Sequence, residues 1–187
     1  MILFLDIETV SDDTIDRWAY LDRYAEKINF MPEFNRVFCI SIWYEDSDWE
    51  RKYKTLSWDE QKIISDFFDI IKNYTVCWFN IKMFDIPFII KRAMKCWISI
   101  PSRFRVFYKK PWEIEGMLDL YDAYKHIGIN SATLYLACNH LWVESSKDWI
   151  DGSMVQNYVD SWRWDEVIIF WIQNTDPLWL VHLHYNK

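Results

Sequence analysis

The sequence predicts an α/β protein in which a central mixed β-sheet is flanked by α-helices and followed by a helical C-terminal half. Its length of 187 residues is typical of one domain with its own core. Its hydrophobic content of 51% is typical of a globular chain. Strand patterns alternate with helix patterns first, and helix patterns alone follow, so we expect a single domain over residues 1–187.

Four apolar segments have the pattern of β-strands. The first, Ile2 to Ile7, predicts a buried strand that ends in acidic residues. The stretches Arg36–Asp46 and Arg51–Ser57 are also typical of strands, and the turn-rich segment EDSDWE joins them. The short apolar segment TVCWF, residues 75–79, predicts the fourth strand.

Helical spacing of apolar residues predicts the other elements. Ser57, followed three residues later by Glu60, matches a capping box. The apolar face that follows it consists of Ile63, Ile64, Phe67, Phe68 and Ile71. A second helix begins at Asp85 and has Pro87 in its first turn, where the missing N–H is not needed. Further helical patterns cover a surface excursion at 13–28 and the segments 117–128, 131–142, 151–162 and 164–176.

The net charge and the spacing of the cysteines limit the functional classes to which this chain can belong. The net charge of −7 argues against a protein that coats long nucleic acid, because phosphate binding normally requires a basic surface. It is compatible with an enzyme that holds a few nucleotides and whose carboxylates are neutralised by metal ions. There is no CxxC pair, so a zinc site is not expected. We expect buried, reduced thiols at Cys39, Cys77, Cys96 and Cys138.

We also expect a cytoplasmic protein without a membrane span. The longest apolar run, Val167 to Ile172, is far shorter than the roughly 20 residues that a spanning helix needs. The first residues, MILFLDIE, have no basic region and soon reach an acid, so they do not match a signal peptide.

Glycine is scarce and tryptophan is abundant, with 3 and 13 residues respectively. Ordinary usage gives glycine about 7% of a chain. Because positions with positive φ normally require glycine, we expect this chain to make its turns with Asn, Asp and Ser, or to reshape them.

Two acids close the first predicted strand. Residues two apart on a strand point to the same side, so the carboxylates of Asp6 and Glu8 can face one point. Two such acids repel each other unless a cation lies between them, and their oxygens suit Mg²⁺ or Mn²⁺. An ordinary polar strand end has the same pattern, so these two residues alone do not define a metal site.

A second motif, NIKMFDIPFI, strengthens the case for a site. Asn80 follows a predicted buried strand, and Asp85 begins a predicted helix. A carboxylate at a helix start is also a routine N-terminal cap, because the exposed N–H groups and the helix dipole favour it.

Together, LFLDIETV and NIKMFDIPFI resemble the first and second motifs of the DEDD superfamily of 3′–5′ exonucleases. The likeness is to the predicted exonuclease group related to the proofreading domain of family-B DNA polymerases. FNRVFCISIWY, KKPWEI, LDLYDAY and SSKDWIDGSMV are similar to that group as well, in the same order. The resemblance spans nearly the whole chain and implies a ribonuclease-H-like fold.

The resemblance also implies a site of four acids that hold two divalent ions, Mg²⁺ or Mn²⁺. One ion activates the attacking water and the other stabilises the leaving 3′ oxygen. The acids at the matching positions are Asp6, Glu8, Asp85 and Asp176. The residues expected to bind substrate are Asn80, Thr9 and Phe84. The implied substrate is nucleic acid with single-stranded 3′ ends, and the products are nucleoside monophosphates.

The family's third motif, Tyr-x3-Asp or His-x4-Asp, permits two alignments here. Counting back from Asp176 places Ile172 in the Tyr slot and Trp171 in the His slot. Aligning WIQN with the family's usual YCxx places Trp171 at the Tyr and Thr175 at the Asp. Neither alignment supplies a group that positions the water. The alternative hypothesis is therefore a catalytically inactive or engineered ribonuclease-H-like module that binds nucleic acid or protein, or only folds.

Other residues carry weaker expectations. The resemblance places tryptophan where glycine is usual at positions 43, 78, 97 and 142, and Trp78 would crowd the metal pocket. Trp112 can stack on bases, and the segment RFRVFYKK can guide a single strand or form a solvated loop. Simple capping or packing roles are expected for His182, His184, Asp119, Asp122, Asp148 and Asp151.

Overall fold

A computed structural model describes residues 1–25, 27–48, 50–105, 113–125, 133–140, 154–163 and 166. In this part of the chain, one sheet contains the strands β1 Ile2–Ser11, β2 Asn35–Glu45, β3 Arg51–Ser57, β4 Thr75–Trp78 and β5 Met117–Asp119. The α-helices described are α1 Leu21–Tyr24, α2 Glu60–Ile70, α3 Asp85–Lys95, α4 Leu120–Lys125, α5 Leu134–His140 and α6 Val155–Asp160. The prediction of a mixed sheet flanked by helices is confirmed.

The strand order β3-β2-β1-β4-β5 makes β1 the middle strand. β1 pairs with β2 and β2 with β3 in antiparallel fashion, whereas β1, β4 and β5 run parallel to one another. The carboxyl ends of these three parallel strands therefore meet at one edge of the sheet. Side chains that follow the three strands are brought together there.

β1 is longer than its predicted extent of Ile2 to Ile7. Its pairing with β2 continues as far as Ser11 opposite Asn35, and the register shifts between Glu8 and Thr9. Such a bulge adds a residue to one strand and re-aims the side chains beside it. Asp6 and Glu8 therefore lie within the strand, just before the bulge, and not at its end.

The predictions for β2, β3, β4 and α3 agree with the structure to within one or two residues at each end. Pro87 lies in the first turn of α3, as predicted. The predicted apolar face of α2 is buried throughout its length, from Ile63 to Ile71. None of the four cysteines forms a disulfide, and Cys96 differs from the prediction in being only half-buried.

The predicted capping box at Ser57 is wrong. Ser57 is the last residue of β3, and the N-terminal cap of α2 is Asp59, which accepts from the Lys62 N–H at 2.8 Å. The Glu60 carboxylate turns inward instead and accepts from the Val37 N–H at 2.7 Å. Because β3 extends as far as Ser57, this residue belongs to the strand and cannot act as the N-terminal cap of α2.

Two helical predictions are also corrected. Met117–Asp119 is a strand, and the helix begins only at Leu120, because the parallel pairing of Met117 with Val76 outweighs the local helical spacing. In the 13–28 excursion, the α-helix is limited to Leu21–Tyr24, with 3₁₀ turns on either side. The predicted helix at 164–176 lies outside the described residues, apart from residue 166.

α2 and α3 pack on the sheet and on each other, and α6 contacts β1. The core contains side chains from every strand, among them Leu5, Ile40, Leu56, Val76 and Met117. Among the residues described, no helix has both the length and the apolar character that crossing a membrane requires.

Candidate active site

The candidate site begins on β1, the middle strand. Asp6 lies opposite Ser41 and Glu8 opposite Cys39 across the β1–β2 pair. Glu8 is buried, and Asp6 keeps partial access to solvent. The Asp6 Oδ1 accepts from the Ile7 N–H at 2.9 Å. The pairing with β2 is regular from Asp6 to Glu8, so the two residues lie on the same face of the strand. The charge of Glu8 raises the pKa of Asp6.

The Asp85 carboxyl meets Asp6 from the N-terminus of α3. The two carboxyl groups lie close enough for each to shift the pKa of the other, although they are 79 residues apart in sequence. The Asp85 residue is only 2% exposed, and its Oδ1 is buried without a hydrogen-bond partner. A buried acceptor without a partner is costly, and a bound ligand would remove that cost.

Burial and mutual repulsion keep protons on this pair. Burial raises the pKa of Asp6 well above its usual value, and the charges of Asp85 and Glu8 raise it further. Burial raises the pKa of Asp85 to about 8, although hydrogen bonds offset part of the effect. Two buried carboxyl groups this close favour a state in which one of them holds a proton, and a divalent cation can replace that proton. The orphaned oxygen and the all-oxygen donor set therefore fit Mg²⁺ or Mn²⁺.

The structure brings Asp6 and Asp85 into contact with Glu8 close by, but it does not complete a metal cage. Among the described residues, no group of three or more His, Cys, Asp or Glu side chains has the arrangement of a bound ion's ligands. Asp176 lies outside the described residues, as do Thr175, Trp171 and Ile172. The metal roles of all four acids remain predictions.

Asp119 is a member of this neighbourhood that the sequence prediction placed only at a helix start. It ends β5, is 2% exposed, and accepts from the N–H groups of Asn80 at 2.8 Å, Lys82 at 3.0 Å and Tyr121 at 2.9 Å. Burial raises the pKa of Asp119 despite these donors, and its charge in turn raises the pKa of Asp85. The sequence signal was available, because MLD repeats the apolar-then-acid pattern of FLD in the first strand.

Asp119 holds the turn that carries Asn80. The Asn80 backbone has φ +66°, a conformation that Asn tolerates better than most residues. Its carbonyl accepts from the N–H groups of Met83 and Phe84, both at 3.1 Å. A further ion pair, between Lys82 Nζ and Asp122 Oδ2 at 3.2 Å, ties the turn to α4. The turn is therefore fixed at both ends immediately before α3.

Thr9 and Phe84, the other residues expected to bind substrate, lie near the carboxyl pair in sequence, three residues after Asp6 and one before Asp85. Phe84 is half-buried and packs edge-on against Phe30, with ring centroids 6.3 Å apart, and against Phe88 at 5.7 Å. Thr9 follows the register shift, at which Phe38 of β2 is the extra residue, and pairs with Val37. Their contact with substrate remains a prediction.

A buried ion-pair network positions α3 and with it Asp85. The Arg92 side chain, 3% exposed, donates to both carboxylate oxygens of Glu60 at 2.8 and 2.6 Å and to Asp12 Oδ2 at 2.9 Å. It also donates to the Pro32 carbonyl at 3.0 Å. Lys95 Nζ reaches the same Asp12 oxygen at 2.6 Å. The network joins α3 to α2 and to the segment that follows β1.

Arg103, in the described part of RFRVFYKK, is bonded to the backbone of the fold. Its guanidinium donates to the carbonyls of Ile71 at 2.9 Å, Lys72 at 3.0 Å, Tyr74 at 2.6 Å and Gly116 at 3.1 Å. Residues 106–110 lie outside the described part, as do Trp112, Asp148, Asp151, His182 and His184.

The tryptophans at positions 43 and 78 pack into the core. Trp43 is 1% exposed and stacks on Phe4 with ring centroids 4.2 Å apart, while its indole N–H is buried without an acceptor. Trp78 ends β4 and is 4% exposed. Trp142 lies outside the described residues.

Comparison with known proteins agrees with this architecture. A search of curated proteins finds no match, whereas 31 chains of solved structures match. One of them is the family B DNA polymerase from the hyperthermophilic archaeon Pyrobaculum calidifontis, with 19% identity and a TM-score of 0.63. The match covers 93% of this chain but only 23% of the polymerase chain. At this identity the likeness shows the fold.

The family comparison extends over most of the chain. The model of the RNase_H superfamily matches residues 19–174, a range that begins after Asp6 and Glu8 and ends before Asp176. The predicted ribonuclease-H-like architecture, a nuclease fold, is thereby confirmed. The chain belongs to the RNase H superfamily.

Proposed function

We propose that this chain is a metal-dependent 3′–5′ exonuclease that acts on nucleic acid and releases nucleoside monophosphates. One observation carries the proposal. In a ribonuclease-H-like fold, Asp6 of the middle strand and Asp85 of α3 meet, and a buried Asp85 oxygen has no partner. Carboxylates so placed favour a divalent cation, and phosphodiester hydrolysis is a reaction that such cations catalyse.

Asp6, Glu8 and Asp85 would hold Mg²⁺ or Mn²⁺, with Asp176 as the predicted fourth acid. When bound, two such ions supply an activated water and stabilisation of the leaving 3′ oxygen. The protein's own part is to keep the carboxylates buried and aligned, which β1 and the fixed start of α3 do. The turn held by Asp119 keeps Asn80 and Phe84 beside them, where we expect the terminal nucleotide of a single-stranded 3′ end.

The test is degradation of a 5′-labelled single strand in Mg²⁺ or Mn²⁺, followed as a ladder of shortened products. We expect the unaltered chain to shorten the strand from its 3′ end, and Asp6→Ala and Asp85→Asn to lose activity. The loss should exceed the roughly 10–100-fold that removal of an outer-shell partner costs. Asp13→Ala, an exposed acid after β1, is the matched control and should keep full activity.

Two further outcomes would decide against the proposal. Chelation of divalent ions should abolish shortening, and activity that survives it would contradict a metal mechanism. Equal background from the unaltered chain and Asp6→Ala would remove the exonuclease assignment.

The alternative is an inactive module of the same fold that binds nucleic acid or protein. Two observations favour it: the water-positioning slot of the third motif holds Trp171 or Ile172, and the described residues complete no metal cage. Retained binding of a labelled single strand without any shortening would support this alternative.

A further inference from the structure

Five described residues have the left-handed backbone that glycine favours. They are Trp58 with φ +92°, Asn80 with φ +66°, Trp97 with φ +57°, Gly116 with φ +74° and Trp162 with φ +59°. In this region the Cβ of an L residue crowds the backbone, so glycine is the default and Asn the usual exception. A bulky residue there is an outlier, and here three of five are tryptophan. Asn80 agrees with the expectation that Asn, Asp and Ser would make such turns, and the three tryptophans do not.

Trp97 occupies the glycine position of a helix ending. After α3, the Trp97 N–H donates to the Met94 carbonyl at 3.2 Å, and the Ile98 N–H donates to the Ala93 carbonyl at 2.9 Å. These two bonds define a Schellman motif, in which the left-handed residue is usually glycine. Both hydrogen bonds of the motif are present, but its left-handed position is occupied by tryptophan, which has the largest side chain.

Trp162 repeats the arrangement at the end of α6. Its N–H donates to the Val159 carbonyl at 3.1 Å, and the Arg163 N–H donates to the Tyr158 carbonyl at 2.9 Å. The same motif is therefore built twice in distant parts of the chain, each time with tryptophan at the glycine position. Trp58 provides the third case, at the tight turn between β3 and Asp59, the cap of α2.

Burial of the indole does not explain these positions. Trp58 is 73% exposed, Trp97 is 94% exposed and Trp162 is 83% exposed. Each ring therefore leaves most of its apolar surface in water while its backbone adopts a conformation unfavourable to a side chain. The buried tryptophans at 43 and 78 differ in both respects, since they lie in strands and fill the core.

We propose that the organism that makes this protein inserts glycine at positions 58, 97 and 162, and that its gene has the codon UGA there. UGA differs by one base from the glycine codon GGA and by one base from the tryptophan codon UGG. It is a stop in the standard code and is read as tryptophan or as glycine in variant codes. The assignment moves three residues from the tryptophan count of 13 to the glycine count of 3, and so shifts both unusual counts toward ordinary usage.

The direct test is mass spectrometry of peptides from the protein isolated from its own cells, with the codons read from its gene. We expect glycine at positions 58, 97 and 162, and UGA at each codon. Tryptophan in those peptides, or UGG codons, would overturn the proposal.

A second test examines whether the fold itself prefers glycine there. In the chain as printed, Trp97→Gly and Trp162→Gly should each raise the melting temperature, by about 2–4 °C for a chain of this size. The matched control is Trp18→Gly, because Trp18 is also 83% exposed but lacks a left-handed backbone. Glycine there should leave the melting temperature unchanged or lower it. A decrease for both helix-end variants would contradict the proposal.

Discussion

The Asp85 carboxyl is the most constrained group in the candidate site. It is buried, lies close enough to Asp6 for the two groups to interact, and has one oxygen, Oδ1, without a hydrogen-bond partner. Helix capping explains its place at the first turn of α3 but not the orphaned oxygen, because a capping carboxylate bonds to backbone N–H groups. Contact with a second acid is the feature that distinguishes a functional-site carboxylate from one that only caps a helix.

We expect divalent cations to stabilise the folded chain through this group. A cation that binds only the folded state, at about 100 times its dissociation constant, adds about 2.7 kcal/mol to the free energy of unfolding. Melting curves with and without Mg²⁺ or Mn²⁺ should therefore separate for the unaltered chain. Asp85→Asn should lose the separation, and Asp13→Asn should keep it. An equal separation in Asp85→Asn would show that the cation binds elsewhere.

Asp12 is a second single residue with a distinct energetic role, because the folded state stabilises its ionised form. Burial alone would raise the pKa of Asp12, but hydrogen bonds from Lys95, Thr14 and Arg92 outweigh it and hold the pKa well below its usual value. The folded state then binds fewer protons than the unfolded state near pH 3. Its contribution to stability is therefore complete above the ordinary value of about 3.9 and is lost as the pH falls further.

Acid unfolding should show this effect. We expect Asp12→Asn to be less stable than the unaltered chain at pH 7, and the difference to shrink as the pH falls below about 4. Urea midpoints measured across that range test it, with the exposed Asp13→Asn as control. A constant difference at all pH values would mean that Asp12 acts through packing and not through its charge.

At the next scale, arginine side chains hold the helices and strands in place. Arg92 joins α3 to α2 and to the chain after β1, and Arg103 joins the 3₁₀ turn at Ile71–Asn73 to the start of β5. Both guanidinium groups satisfy several acceptors in fixed directions, which a lysine ammonium does less well. The positions of the side chains in the candidate site thus depend on arginines that lie outside the site.

We expect Arg92→Met to lower the free energy of unfolding by about 3–5 kcal/mol, because it removes the guanidinium paired with Glu60 and leaves the buried Asp12 with Lys95 as its remaining cationic partner. The neighbouring Lys91→Met provides the control, since its ion pair with Glu33 is half-exposed and should contribute less than about 1 kcal/mol. Chemical denaturation measures both. Similar losses for the two variants would contradict the structural role of the network.

Element predictions succeeded where one local signal dominated. The buried run of β1, the apolar face of α2 and Pro87 in α3 are all local patterns, and the structure confirms them. The prediction at Ser57 failed because the residue is already paired in β3, and the one at Met117 failed because β4 recruits it as a parallel neighbour. Pairing partners far away in sequence decided both cases.

For the whole molecule, the sequence by itself determined the fold class, the family resemblance and the identities of Asp6, Glu8 and Asp85, because periodicity and short motifs are local properties of a chain. Only the tertiary structure decided that Asp6 touches Asp85, that Asp119 is buried beside them, and that three tryptophans stand on left-handed backbone. The meeting of parallel strand ends and the burial of a charge depend on how distant segments pack. The left-handed backbone at Trp97 and Trp162 follows from the hydrogen bonds that end the two helices, which the residue type itself did not indicate.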